Sequence, residues 1–144
     1  MLDTVKERIE DYVPELRHRV EGGASFAALM QSGHRPQSPV QAYVLYAGVA
    51  ARGTPPLGAG YFAQNIRESI NVVLMVNSSA PEAQRALDLL RPINDAILQA
   101  LCGWAPGDEV GVFELVRAEV VSFQKSLLIW NIDLAINDQL RIHR

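Results

Sequence analysis

The chain has 144 residues, of which 49% are hydrophobic and 20% charged, with a net charge of −3 and a pI near 5.6. This length favours one domain over residues 1–144 and lets a fold bury roughly 70% of its unfolded surface, so no metal or disulfide staple is required. The acidic balance argues against a surface built to neutralise many phosphates, and a lone cysteine, Cys102, excludes an internal disulfide.

In chain order, residues 2–16 predict an amphipathic helix. Leu2, Val5, Ile9, Tyr12, Val13 and Leu16 recur at helical spacing, charges fill the other face, and Pro14 distorts the last turn. The acidic and basic residues here leave no apolar core of a signal sequence. No apolar run approaches the ~20 residues that span a bilayer, so a soluble, cytoplasmic chain is expected. Residues 17–22 read as a short strand. Residues 25–33 read as a short helix capped by Ser25 and ended by Gly33. A two-proline loop over 35–39 leads into a Val- and Tyr-rich strand over 40–50. Glycines and prolines then predict irregular chain over 48–60.

From 61 to 76 the alternation returns. Ile66, Ile70, Val72, Leu74 and Val76 share one side of a strand, interrupted by Glu68, and Asn65, Arg67, Ser69 and Asn71 share the other. Ser79 or Ala80, Pro81 and Glu82 announce a helix that runs to Leu101 on a stripe of Ala83, Ala86, Leu87, Leu90, Ile93, Ile97, Leu98 and Leu101. Pro92 is expected to kink it. After a turn-rich break at 103–109, two strands over 110–122 and 126–138 form a hairpin, and the tail beyond Leu140 is expected to be mobile. In the last strand Leu128, Trp130, Ile132, Leu134 and Ile136 alternate with polar positions. Trp130 and Leu134 are placed in the core against the helix carrying Leu87, Leu90 and Ile97. The sum is an α+β fold: a mostly antiparallel sheet with the two longer helices packed on one face.

Chemistry-bearing patterns are weak. "GTPPLGAG" lacks the Gly-Lys-Ser/Thr ending of a phosphate loop and precedes a strand, not a helix. His18, His34 and His143 stand far apart, without ligand-pair spacing. Cys102 ends an apolar helical run and is expected to be a buried, inert thiol. Glu114 with Glu119, and Asp133 with Asp138, fit a solvated strand face more simply than an acid–base pair. No catalytic, cofactor-binding or metal-binding residue is assigned, and an enzyme is not expected. Residues alone lead to a soluble α+β interaction domain whose polar strand face, with Asn131, Asp133 and Asn137, meets plain solvent or a neighbouring subunit.

Three stretches carry a resemblance: "MLDTVKERIEDYVPELRHRVEGGASFAALM" at the start, "PINDAILQALCGWAP" at 92–106 with its Gly-Trp-x-Pro turn, and "FELVRAEVVSFQKSLLIWNIDLAINDQLRI" at 113–142. In this order they resemble the tail terminator proteins of long-tailed bacteriophages. The resemblance implies an α/β domain with helices against a sheet, in a ring, a hexamer in the better-known members, that caps the tail tube. Implied partners are the tail tube protein and a head–tail connector protein. DNA would pass the lumen without specific binding, and no membrane would be involved. The implied location is the virion tail or neck, after assembly in the host cytoplasm. A head–tail connector ring is the alternative, and a small enzyme a more distant one. A modestly acidic wall suits passing DNA, because it repels phosphate, which makes Asn131, Asp133, Asn137 and Asp138 candidates for a lumen or interface face. The loop at 48–60 is expected to pack on a neighbouring subunit or the tube, with Pro55 and Pro56 stiffening it, Arg52 meeting a carboxylate and Leu57 adding apolar contact.

Overall fold

A computed structural model of the chain describes residues 1–53, 60–78 and 83–143. Helix α1, Leu2–Tyr12, stops short of the expected residue 16. The cause is Pro14, which forces Val13 into an extended conformation (φ −121, ψ 94). One 3-10 turn, Pro14–Leu16, then returns the chain to the core through buried Leu16. Strand β1 is only Val20–Glu21, and helix α2 is Gly23–Ser32. Gly33 ends α2 in the left-handed region at φ 71, as expected, but Gly22 holds the cap position and no side chain caps the helix. Ser25 lies inside α2 and its hydroxyl contacts Glu21 at 3.3 Å instead.

Strand β2, Val40–Ala51, and strand β3, Tyr61–Asn77, pair antiparallel from Val40↔Val76 to Ala51↔Ile66. The irregular stretch expected from residue 48 therefore begins only after Ala51. Gly48 belongs to a bulge that leaves Ala47 without an opposite residue, and its φ of 140 is open only to glycine. Helix α3, Ala83–Leu101, runs through Pro92 without ending, and Pro92 itself lies on the exposed side. The expected cap residues Ser79 and Ala80, with Pro81 and Glu82, lie outside the described residues.

Strands β4, Glu114–Gln124, and β5, Leu127–His143, form the hairpin. β4 starts later than the expected residue 110, and β5 ends later than the expected residue 138. The tail beyond Leu140 is strand, because the long β3 offers it backbone partners as far as Tyr61↔His143. The hairpin turn is Lys125-Ser126, both at positive φ (52 and 63), the geometry of a type I′ turn.

The sheet order is β1-β2-β3-β5-β4. Every pairing is antiparallel except β1 with β2, which α2 joins as a crossover. Helices α1 and α3 cover one face. Val5, Ile9, Leu90, Ile93, Ile97 and Leu101 bury against Val72, Leu74, Ile132 and Leu134 of the central strands. That is the expected α+β arrangement. Leu134 is fully buried, whereas Trp130 is half-buried against the same core and donates its indole N–H to Asn94 Oδ1 of α3 at 3.1 Å. The second face is partly covered by α2, through Phe26 and Leu29 on Tyr43 and Met75.

The Gly-Trp-x-Pro turn closes the long-helix end. Gly103, at φ 82, donates its N–H to Phe113 O, and Phe113 returns one to Trp104 O, both at 2.9 Å. Arg8 of α1 lies over Trp104 (4.5 Å to the ring centre) and Tyr12 (4.3 Å), and its Nε donates to Ala100 O in the last turn of α3 at 2.6 Å. Among the described residues no helix is long and apolar enough to cross a membrane.

Candidate assembly surface

Register sorts the polar residues by face. Asn131, Asp133 and Asn137 alternate with the buried Ile132, Leu134 and Ile136, so they point away from α1 and α3. Opposite them on β3 stand Val73, Asn71 and Arg67. On β4, Glu119 pairs with Asn131 and Arg117 with Asp133. Beyond the reach of α2, this face carries a hydrogen-bonded polar patch. Asp133 Oδ1 accepts from Asn131 Nδ2 at 2.8 Å and, with the Asn71 amide turned toward it, from Asn71 at 2.6 Å. Arg67 reaches Asn137 Oδ1 at 3.3 Å and Glu114 at 3.5 Å, and Arg117 reaches Glu119 at 3.3 Å. Asn131 Oδ1 is buried and accepts no hydrogen bond from the described residues.

These pairs are shallow ones. Arg117 and Glu119 keep 64% and 55% of their side-chain exposure, so water screens them and they contribute little to stability. Three carboxylates (Glu114, Glu119, Asp133) stand on this face with three guanidiniums (Arg67, Arg117 and, beyond Gln139, Arg141), so its charges balance. Asp138 does not share this face. It lies on the side of Ile136, and its Oδ1 accepts from Val110 N at 3.3 Å, pinning the 107–112 segment to β5. Of the expected loop contacts, Arg52 is exposed at the end of β2, where its N–H donates to Asn65 O at 2.8 Å. Pro55, Pro56 and Leu57 lie outside the described residues.

One anchor has no sequence signal beyond its residue types. The proline loop before β2 is pinned by Arg35, which donates to Asn77 Oδ1 at 3.1 Å and to Lys125 O. Asn77 in turn donates to Pro36 O and Ser38 O at 2.7 and 3.0 Å. Only residues far apart in sequence make this contact, so no local pattern could reveal it.

Cys102 corrects an expectation: it is exposed, not buried. Its position after the last helical turn, beyond the buried stripe, explains this. Partial desolvation pushes its thiol up, opposed by the backbone N–H of Leu115. Among the described residues, no three His, Cys, Asp or Glu side chains gather where they could hold a metal ion.

Comparison with known proteins returned two findings. A family model described as phage tail terminator protein matches residues 2–142. A chain from the solved structure of the virion of a native gene transfer agent particle has a similar fold, with a TM-score of 0.55 at 11% identity, covering 97% of this chain and 95% of that one. No curated protein matches the sequence.

Proposed function

The chain belongs to the phage tail terminator family, a structural component of phage tails, and from that premise we propose that copies of it, each acting as one domain over residues 1–144, assemble into a hexameric ring capping the tail tube. The family match over nearly the full length carries this reading. The opposite side of the ring presents a surface to the head–tail connector. The protein thus works in the virion, after assembly in the host cytoplasm, and catalyses nothing. The solved relative comes from a whole virion particle, which supports a role in assembly with other tail proteins.

The ring needs a wall that does not hold DNA. The uncovered face with Asn131, Asp133 and Asn137 supports that part, since its carboxylates and guanidiniums balance and leave no surplus of positive charge to hold phosphate. Asp138 serves instead to hold the 107–112 segment. The connection from Arg52 through Pro55, Pro56 and Leu57 reaches a neighbouring subunit or the tube.

Electron microscopy of the purified protein mixed with tail tubes tests the reading. Rings on one tube end support it. Rings on capsid portals instead would make the protein a connector. Turnover of a substrate without assembly would make it an enzyme. The wall assignment has its own check: the variant Asn137→Lys, on β5 and so away from both sheet edges, should still form rings but reduce DNA delivery by the assembled particle. Unchanged delivery would place the lumen elsewhere.

A further inference from the structure

Exposed apolar side chains concentrate at the two lateral edges of the sheet. Val110, Val112, Leu115, Val116, Val120 and Val121 line the β4 side. Tyr46 and Val49, beside exposed Ala47, Ala50 and Ala51, line the β2 side. Both are also edges of backbone. β4 is the last strand in the order, and β1 pairs with β2 only at Ala42 and Tyr43, so residues 44–51 of β2 have no strand beside them among the described residues. The amide of Leu115 is turned toward the sulfur of Cys102, so the free run of β4 begins at Val116. An exposed edge with unpaired N–H and C=O groups is a template for another strand, and proteins that must stay monomeric blunt it with lysine or proline. Neither residue type occurs in β4 or in 44–51, where the edges carry bulges at Gly48, Val116 and Val121 and the charges of Arg117 and Glu119 instead.

We propose that these two edges are made for each other: the outer edge of β4 in one copy adds, antiparallel, to residues 44–51 of β2 in the next. This rests on the ring reading above and names its subunit contact. The direction of the strands supports it. β2, β3, β5 and β4 alternate in sense, so the two free edges run opposite ways. Copies related by rotation about a ring axis keep that sense, so each β4 meets the next β2 antiparallel, with no parallel joint to accommodate. The contact is heterologous, using two different surfaces of one chain, as ring closure requires. Antiparallel addition also brings the end of β2, where Arg52 is exposed, toward the start of β4, where Glu114 is exposed, so opposite charges meet. A partner of another kind would use one edge and leave the other bare. A second copy uses both.

Two single variants and their mixture test this. Val49→Lys blocks the β2 edge and Val121→Lys the β4 edge; both positions are exposed, at 57% and 61%, so both variants should fold, as circular dichroism will show. Ala50→Lys and Val116→Lys replace either one that does not. By native mass spectrometry each variant alone should be monomeric under conditions where the unaltered chain forms rings. Mixed in equal amounts, they retain one intact edge of each kind and should form a heterodimer of twice the monomer mass that grows no further. Rings from either single variant, or a mixture that stays monomeric, would overturn the pairing. So would variants that form rings but no longer bind tubes, which would assign the edges to the tube protein. If the unaltered chain forms no ring, free or on tube ends, the ring reading itself fails, and that result is distinct from all the others.

Discussion

A methyl group at Gly111 would stand 2.9 Å from the backbone oxygen of Asn137, inside contact distance, and Gly111 N–H already donates to that oxygen at 2.8 Å. Gly111→Ala should therefore cost about 1–3 kcal/mol, the range for forced overpacking, read as a lowered urea midpoint. Gly107 is a useful control, because a methyl there meets only the mobile end of Glu109. Trp130 is half-buried, so Trp130→Ala should fall near the low end of large aromatic truncations, about 3 kcal/mol. On the polar face, Glu119→Gln should stay within about 0.5 kcal/mol. Asp133→Asn should stay close to that range, because Asn131 and Asn71 both donate to the single oxygen Oδ1, whose place the new amide oxygen can take, and only the charge is lost. Cys102 combines exposure with a raised pKa. At pH 7 less of it is thiolate than in a free cysteine, so alkylation should run slower than for glutathione, and the gap should close as pH rises through the thiol pKa.

At the scale of elements, the Lys125-Ser126 turn stands out because neither residue favours the positive φ that both adopt. Lys125→Asn with Ser126→Gly supplies the pair that a type I′ turn prefers and should raise stability by about 1 kcal/mol; an unchanged melting temperature would show that other contacts already fix the turn. This turn also shows what the sequence concealed. The alternation in β3 and β5 and the stripe of α3 made faces legible: Ile70, Val72, Ile97 and Leu134 are buried as periodicity predicts. Alternation reports which side a residue takes, not which strand lies beside it. Hence the edge position of β4, with Val116 and Val121 in two bulges, had no local signature. Gly48 was misleading for a related reason, since a glycine that relieves a bulge and one that opens a loop look alike in sequence. The polar face was legible through Asn131, Asp133 and Asn137, whereas Asp138 parted from them because consecutive strand residues point opposite ways.

On the scale of the molecule, the protein is a sheet with one well-covered face, one face shared between α2 and a polar patch, and a ribbon of β3 and β5 that continues beyond β2. Among the described residues Tyr61–Gln64 pair only with Leu140–His143 there, outside the reach of α1 and α3. Amide exchange in the isolated protein should follow that coverage, slowest at Val72–Val76 and fastest in the ribbon. Uniform protection along β3 would show that the ribbon is held by more than its own pairing.

The strand order carries a consequence for how the chain reaches its fold. β4 is made before β5 yet pairs with nothing except β5, and β3 waits for the same partner across α3 and β4. β3 can pair with β2 as soon as it is made, but its other edge and β4 have no neighbour while the ribosome is still completing β5, so the centre of the sheet closes late, through β3–β5 contacts distant in sequence. Closure of such long loops precedes any reward, which places refolding in the millisecond-to-second range. During that interval the apolar rows on β3 lie open. A chain halted after residue 126 should accordingly collect in inclusion bodies, while the full chain, its central strand in place, stays in solution.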